Sequence, residues 1–165
     1  MNTQPWIFFF HENEVNGCFS NWYPSPFTLD GITYRHVEQY IMAMKAKMFG
    51  DTASFDAILK ADSPAVCKSL GRGVSGYVDP VWASRRHRVL LTGLREKFAQ
   101  NPELREALLA TGEAGIAEAN PNDPVFAIGM SAADAAATDP DNWPGQNLLG
   151  LSLMELREDL REEDE

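Results

Sequence analysis

The sequence predicts an α+β fold: a mainly helical, compact single domain over 1–165 with a small β-sheet, its core at about 8–160 and an acidic tail at 161–165. Three observations carry this expectation. Apolar residues recur at helical spacing over three long segments, 36–48, 79–101 and 148–160. Strand signals are few and short, at 5–10, around 27–34 and at 114–130. No internal repeat or Pro/Gly/Ser-rich linker divides the chain, and 165 residues suffice for one sizeable core.

Taken in order, "PWIFFF" (5–10) reads as a buried strand. Asp30-Gly31 stands between "FTL" and "ITY" and favours the positive φ values of a tight hairpin. "YRHVEQYIMAMKAKMFGD" (34–51) reads as a helix from about 36 to 48, with Val37, Ile41, Met44 and Met48 as its core stripe and Gly50 just past its end. A second helix over 52–61 is capped by Asp51 or Thr52. A third over 63–73 has Ser63 as N-cap, Pro64 at the first helical position and Gly71 at its end. The longest, 79–101, carries Val81, Val89, Leu90, Leu94 and Phe98 as an apolar stripe. Residues 102–112 form a helix stopped by Gly112, while 114–120 and 124–130 read as strands joined by a turn at Asn122-Asp123. Residues 131–147 hold few large apolar side chains and read as a loop before the closing amphipathic helix at 148–160.

The formal charge of −10 argues against nucleic-acid binding through a broadly basic surface, yet it leaves room for a local basic pocket. Part of that charge is the tail 157–165, with six acids against two arginines. "MNTQPWIFFF" lacks the basic start and long apolar run of a signal peptide, and no apolar stretch approaches the ~20 residues that span a bilayer. Cys18 and Cys67 are single and far apart, which reads as reduced thiols in a cytoplasmic protein. His11, His36 and His87 lack metal-ligand spacing, so neither a metal nor a cofactor is expected, and no membrane partner.

Several residues stand in unusual settings. Glu38 and Lys45 lie seven residues apart on one helix, hence on one stripe roughly 10 Å apart. Glu38 reads either as an acid favoured at a helix start or as a carboxylate in an apolar setting. Lys45 reads either as a chain snorkelling to water or as a desolvated amine able to attack a carbonyl. Asp123 is a second candidate carboxylate, and equally a turn residue bonding its own backbone. Arg85, Arg86, His87 and Arg88 form a basic run on the long helix, of which at most two can serve one pocket. Trp82 offers an aromatic face or a core anchor, and Gly71-Arg72-Gly73 a turn that could approach a phosphate. No nucleophile-elbow motif is present.

In order, "CFSNWYPSPF", "VEQYIMAMKAKMFGD", "CKSLGRGV", "VWASRRHRVL", "KFAQNPELREALLATG", "AEANPNDPVFAIGM" and "NWPGQNLLGLSLMELRE" resemble the NADAR superfamily, also called the YbiA-like family, from about Phe8 to Leu160. The resemblance implies a YbiA-like α+β fold and an N-glycosidase that cleaves a ribose C1–nitrogen bond. The implied substrates are phosphoribosylamino-pyrimidine intermediates of riboflavin synthesis, or ADP-ribose on the guanine amino group in a nucleotide or nucleic acid. Position by position, it implies catalytic roles for Glu38, Lys45 and Asp123. It implies substrate contacts for Asn21, Lys68, Arg72, Trp82, Phe126, Gly145 and Asn147, with Lys68 and Arg72 suited to phosphate and Trp82 to a base. Glu38 and Asp123 would share the acid–base work, with Lys45 as imine nucleophile or phosphate clamp. Two positions depart from the family pattern: Gln39 stands where many members have histidine, and Phe126 where many have tryptophan. The alternative is a module that binds ADP-ribose or an NAD-type nucleotide without cleaving it. A purely structural interaction domain leaves the buried-looking charges unexplained.

Overall fold

The computed structural model describes residues 5–165. The reading of residues 1–4 as part of a non-leader N-terminus lies outside the described residues. Seven α-helices and two two-stranded sheets make up the described chain, a mainly helical α+β architecture as the periodicity predicts. Backbone contacts group it into two compact units: Pro24–Pro102, and the residues up to Tyr23 with Glu103–Glu165.

In the unit Pro24–Pro102, β2 (Phe27–Leu29) and β3 (Ile32–Tyr34) form the expected antiparallel hairpin, with Leu29 opposite Ile32. Asp30 and Gly31 take φ of 52° and 79°, the left-handed pair that a two-residue turn demands. Helix α1 (Val37–Met48) is wrapped on most sides: Val37, Gln39, Tyr40, Ile41, Met42, Ala43 and Ala46 are buried. The expected stripe is therefore shifted, and Met44 and Met48 are only half-buried. Helices α2 (Thr52–Lys60) and α3 (Pro64–Arg72) are capped by Asp51 and Ser63, whose side chains accept from the Ser54 and Val66 amides.

Gly71 does not end α3. It lies one residue inside it, and a Cβ there would stand 2.0 Å from Met42 Sδ, so the glycine lets α3 approach α1; the helix stops at Gly73. Helix α4 (Asp79–Gln100) buries Trp82, Leu90, Leu94 and Phe98, but Val81 faces solvent, because Trp82 takes the inward position in the first turn.

In the other unit, β1 (Trp6–Phe9) pairs in parallel with β4 (Gly115–Glu118), Trp6 beside Gly115 and Phe9 beside Glu118. Helix α5 (Pro102–Ala110) precedes β4, and α7 (Leu148–Glu163) packs along it. Residues 124–130 are not the strand that their apolar run suggests. Their carbonyls face the start of α7: Pro124 and Val125 accept from the amides of Gln146 and Leu148, at 2.9 and 3.1 Å, and Phe126 from Leu149 at 3.0 Å. Backbone carbonyls thus satisfy helix-start donors that no side chain caps. The stretch 131–147 is more than a loop. It holds a short helix α6 (Ala132–Ala136) capped by Ser131, and a 3₁₀ turn, Pro140–Asn142, capped by Asp139. Small residues hide both from an apolar-periodicity reading.

Candidate functional site

Helix α1 begins on a histidine. His36 is the N-cap, and its Nδ1 accepts from the Gln39 amide at 3.1 Å. Burial, helped by the Arg35 charge, lowers its pKa to about 4, so the ring is neutral, as an acceptor at Nδ1 requires. Gln39 is fully engaged: its Oε1 accepts from the Arg35 amide at 2.8 Å, and its Nε2 donates to the Ile58 carbonyl at 3.1 Å. Gln39 is thus a tie between the entry of α1 and the end of α2.

Glu38 and Lys45 are both half-buried on α1. The Lys45 ammonium lies 4.6 Å from the Tyr77 ring centroid and 5.9 Å from that of Trp82. Burial lowers the Lys45 pKa most; the Glu38 and Asp79 carboxylates oppose this, and the Arg72 guanidinium adds to it. Lysine, glutamate, arginine and an aromatic wall therefore share one electrostatic neighbourhood. Cys67 is buried there too, its thiol pushed up to about 11 by burial and by the Glu38 charge. Arg72 is exposed at the end of α3 and Lys68 half-buried one turn before it, so both heads fall on one helix face.

Trp82 is 5% exposed, which makes it a floor beneath Lys45, whereas Tyr77 is 40% exposed and presents the open ring. Tyr77 Oη donates to Asp79 Oδ1 at 2.6 Å, and its ring meets Phe49 edge-on at 5.4 Å. Tyr77 and Asp79 were absent from the sequence-based candidates. The signal that could have found them is "SGYVDP", an aromatic between a turn glycine and a proline-marked helix start.

In the unit with Glu103–Glu165, Asp123 Oδ1 accepts from the Val125 and Phe126 amides at 2.9 and 3.0 Å, the hydrogen bonds of a turn residue. Phe126, beside it, is half-buried. Asn147 is buried in the left-handed region (φ 53°); its Oδ1 accepts from the Glu118 amide and its Nδ2 donates to the Ile116 carbonyl, so it clamps the edge of β4. A Cβ on Gly145 would meet the Ala127 carbonyl oxygen at 2.3 Å, so this glycine serves backbone approach. Asn21 is 7% exposed, and its Oδ1 lacks a hydrogen-bond partner among the described residues. A cavity of about 720 Å³ in this unit is lined by Phe8, Phe10, Asn13, Glu14, Ala119 and Pro121, among others. That volume lies in the range of small-molecule sites. Among the described residues no three or more His, Cys, Asp or Glu side chains are grouped to hold a metal ion. No helix among them is long and apolar enough to cross a membrane.

Three comparisons bear on this arrangement. A family profile described as the NADAR domain matches residues 8–161. The N-glycosidase R617 of Acanthamoeba polyphaga mimivirus is 38% identical, over 96% of this chain and 98% of its own length. The N-glycosidase YbiA of Shigella flexneri serotype 5b (strain 8401) is 36% identical, over 93% and 88% respectively. The NMR structure of the E. coli protein YbiA superposes with a TM-score of 0.81 at 33% identity, covering 99% of this chain and 89% of that one.

Proposed function

Because this chain belongs to the NADAR domain family, we propose that it is an N-glycosidase that hydrolyses a ribose C1–nitrogen bond and takes ADP-ribose from the amino group of guanine. Relatives named as N-glycosidases support the reaction class. The observation that carries the reading is Lys45, an amine held half-buried against Tyr77 and under the opposing charges of Glu38 and Arg72.

In such a reaction the C1–nitrogen bond breaks, a proton goes to the departing nitrogen, and the oxygen of water ends on C1. Glu38 steadies positive charge on the opening sugar and draws the proton from water. Lys45, its pKa lowered by burial, attacks C1 of the ring-opened C1=N form and expels the guanine nitrogen as its amine, leaving a lysine imine that water hydrolyses, so the amine is regenerated and the water oxygen ends on C1. Asp123, assigned by resemblance, supplies the proton to the leaving nitrogen. Lys68 and Arg72 hold phosphate. Tyr77 takes the place of an open ring beside the sugar, over the buried Trp82.

A chromatographic cleavage assay tests this on two substrates, an ADP-ribosylated guanine oligonucleotide and a phosphoribosylamino-pyrimidine, with wild type beside Glu38→Gln. Release of guanine from the first, slowed ~100-fold or more in the variant, is the expected result. Cleavage of the pyrimidine alone would move the substrate to the riboflavin-type intermediate. Saturable ADP-ribose binding with no cleavage of either would replace the enzyme reading by a binding module.

A further inference from the structure

Two helix faces have no part in the core or in the chemistry above, and they share one spacing. On α4, Val81, Arg85, Arg88 and Thr92 stand at intervals of four, three and four residues. On α7, Leu151, Glu155, Glu158 and Glu162 stand at the same intervals. At about 100° per residue each set falls within roughly 60°, so each forms one stripe about 16 Å long. Val81, Arg85 and Arg88 are exposed, and so are all four residues of the α7 stripe. Both stripes begin on a hydrophobic side chain open to solvent, Val81 at 42% and Leu151 at 53%. Val78, at 49%, widens the first of these heads. Behind the heads the charges are opposite. No acid occurs from Val81 to Leu94, whereas Glu155 to Glu165 holds seven acids against two arginines. Among the described residues no ion pair takes Arg85 or Arg88, while Glu158 meets Arg157 and Arg161 within its own helix.

We propose that these faces dock on one another between two copies of this chain, α4 of one copy lying parallel beside α7 of the next. The parallel register sets Val81 against Leu151, Arg85 against Glu155 and Arg88 against Glu158. It also brings Arg95, three residues beyond Thr92, to the acidic end of α7. The antiparallel register would set Val81 against Glu162 and Leu151 against Thr92, leaving each hydrophobic head facing a polar side chain. Spacings of three and four are those by which two helices lie side by side, and flanking charges then choose partner and direction. A second copy is favoured over any other acidic helix because it carries the matching stripe at the matching spacing. Two helices in contact over so short a length cover far less than the roughly 1,600 Å² of a standard interface, so the association is weak and salt-sensitive. Each copy carries both stripes, so the contact repeats and assembly grows with concentration.

Sedimentation equilibrium of the full chain, at up to about 100 μM, reads its mass at low salt and at about 0.5 M NaCl. The expected result is a mass above the monomer at low salt, with affinity falling roughly tenfold at the higher salt. Arg85→Glu/Arg88→Glu and Glu155→Arg/Glu158→Arg should each sediment as monomers alone. Mixed in equal amounts they should associate again, because acidic α4 then meets basic α7 and basic α4 meets acidic α7. That rescue would also show that both variants fold. A wild type that stays monomeric at every concentration and salt would overturn the proposal. So would association that survives in either variant alone, or a mixture of two normally melting variants that stays monomeric. A monomer that binds polyglutamate through Arg85 and Arg88 would give α4 a different acidic partner, and the second copy would be ruled out.

Discussion

The Lys45 ammonium stands 4.6 Å from the centre of the Tyr77 ring, with the Tyr77 hydroxyl donating to Asp79. The ring's negative face favours the charged amine, while burial, the largest cause of the lowered Lys45 pKa, favours the neutral one. Ring and burial thus act in opposite directions on the amine that the proposed imine chemistry would use.

Tyr77→Leu should therefore lower the Lys45 pKa further. If turnover rises with pH as Lys45 loses its proton, the midpoint of that rise moves toward acid in the variant. Tyr77→Phe keeps the ring and should leave the midpoint near wild type. A pH–rate profile reads both, and an unmoved midpoint in Tyr77→Leu would remove the ring from the tuning of Lys45.

His36 makes stability depend on pH. Its folded pKa of about 4 lies below the ordinary 6.5, so its contribution is fully present above pH 6.5 and is lost as pH falls toward 4. The loss is on the order of 3 kcal/mol, since protonation removes the Nδ1 acceptor that caps α1. His36→Asn caps without titrating, so urea denaturation at pH 7 and pH 4.5 should show a smaller difference for it than for wild type.

Gln39→Leu should cost roughly 1–3 kcal/mol, because it strands the Arg35 amide, while the Ile58 carbonyl keeps the Ala61 amide as a donor. In Gln39→His one ring cannot reproduce both bonds, and an intermediate loss is expected. Urea midpoints order the three proteins; a neutral leucine variant would contradict the tie.

Gly150→Ala puts a Cβ 2.1 Å from the Ile116 carbonyl oxygen, which is backbone and has nowhere to go. We expect a loss of about 3 kcal/mol. Leu151→Ala, at a side chain 53% exposed in the next position, should stay within about 0.5 kcal/mol. Thermal melts of the two variants decide it.

Much of the fold is legible from local chemistry. Asp30-Gly31 specifies the hairpin, and Asp51, Ser63 and Pro64 specify helix starts, because each acts on its own neighbours. The misreadings are tertiary. Gly71 looks like a terminator until Met42 is seen against it. Residues 124–130 look like a strand because nothing local says that their carbonyls serve α7. The site divides in the same way. Asp123 was readable as a turn residue from its sequence context. Tyr77 was not readable as the partner of Lys45, since their proximity depends on how α3 and the start of α4 fold back on α1.

The parallel pairing of β1 with β4 joins two segments about a hundred residues apart. During synthesis the apolar strand Trp6–Phe9 emerges first and waits for its partner. At ribosomal rates that wait is roughly 5–20 s, long compared with hairpin or helix formation. The continuous unit Pro24–Pro102 can form in the interval, while the unit holding β1 stays open until α7 is made. An early aromatic strand held unpaired for that long is the stretch a chaperone would have most reason to shield, so truncation before β4 should cost solubility more than its small contact area suggests.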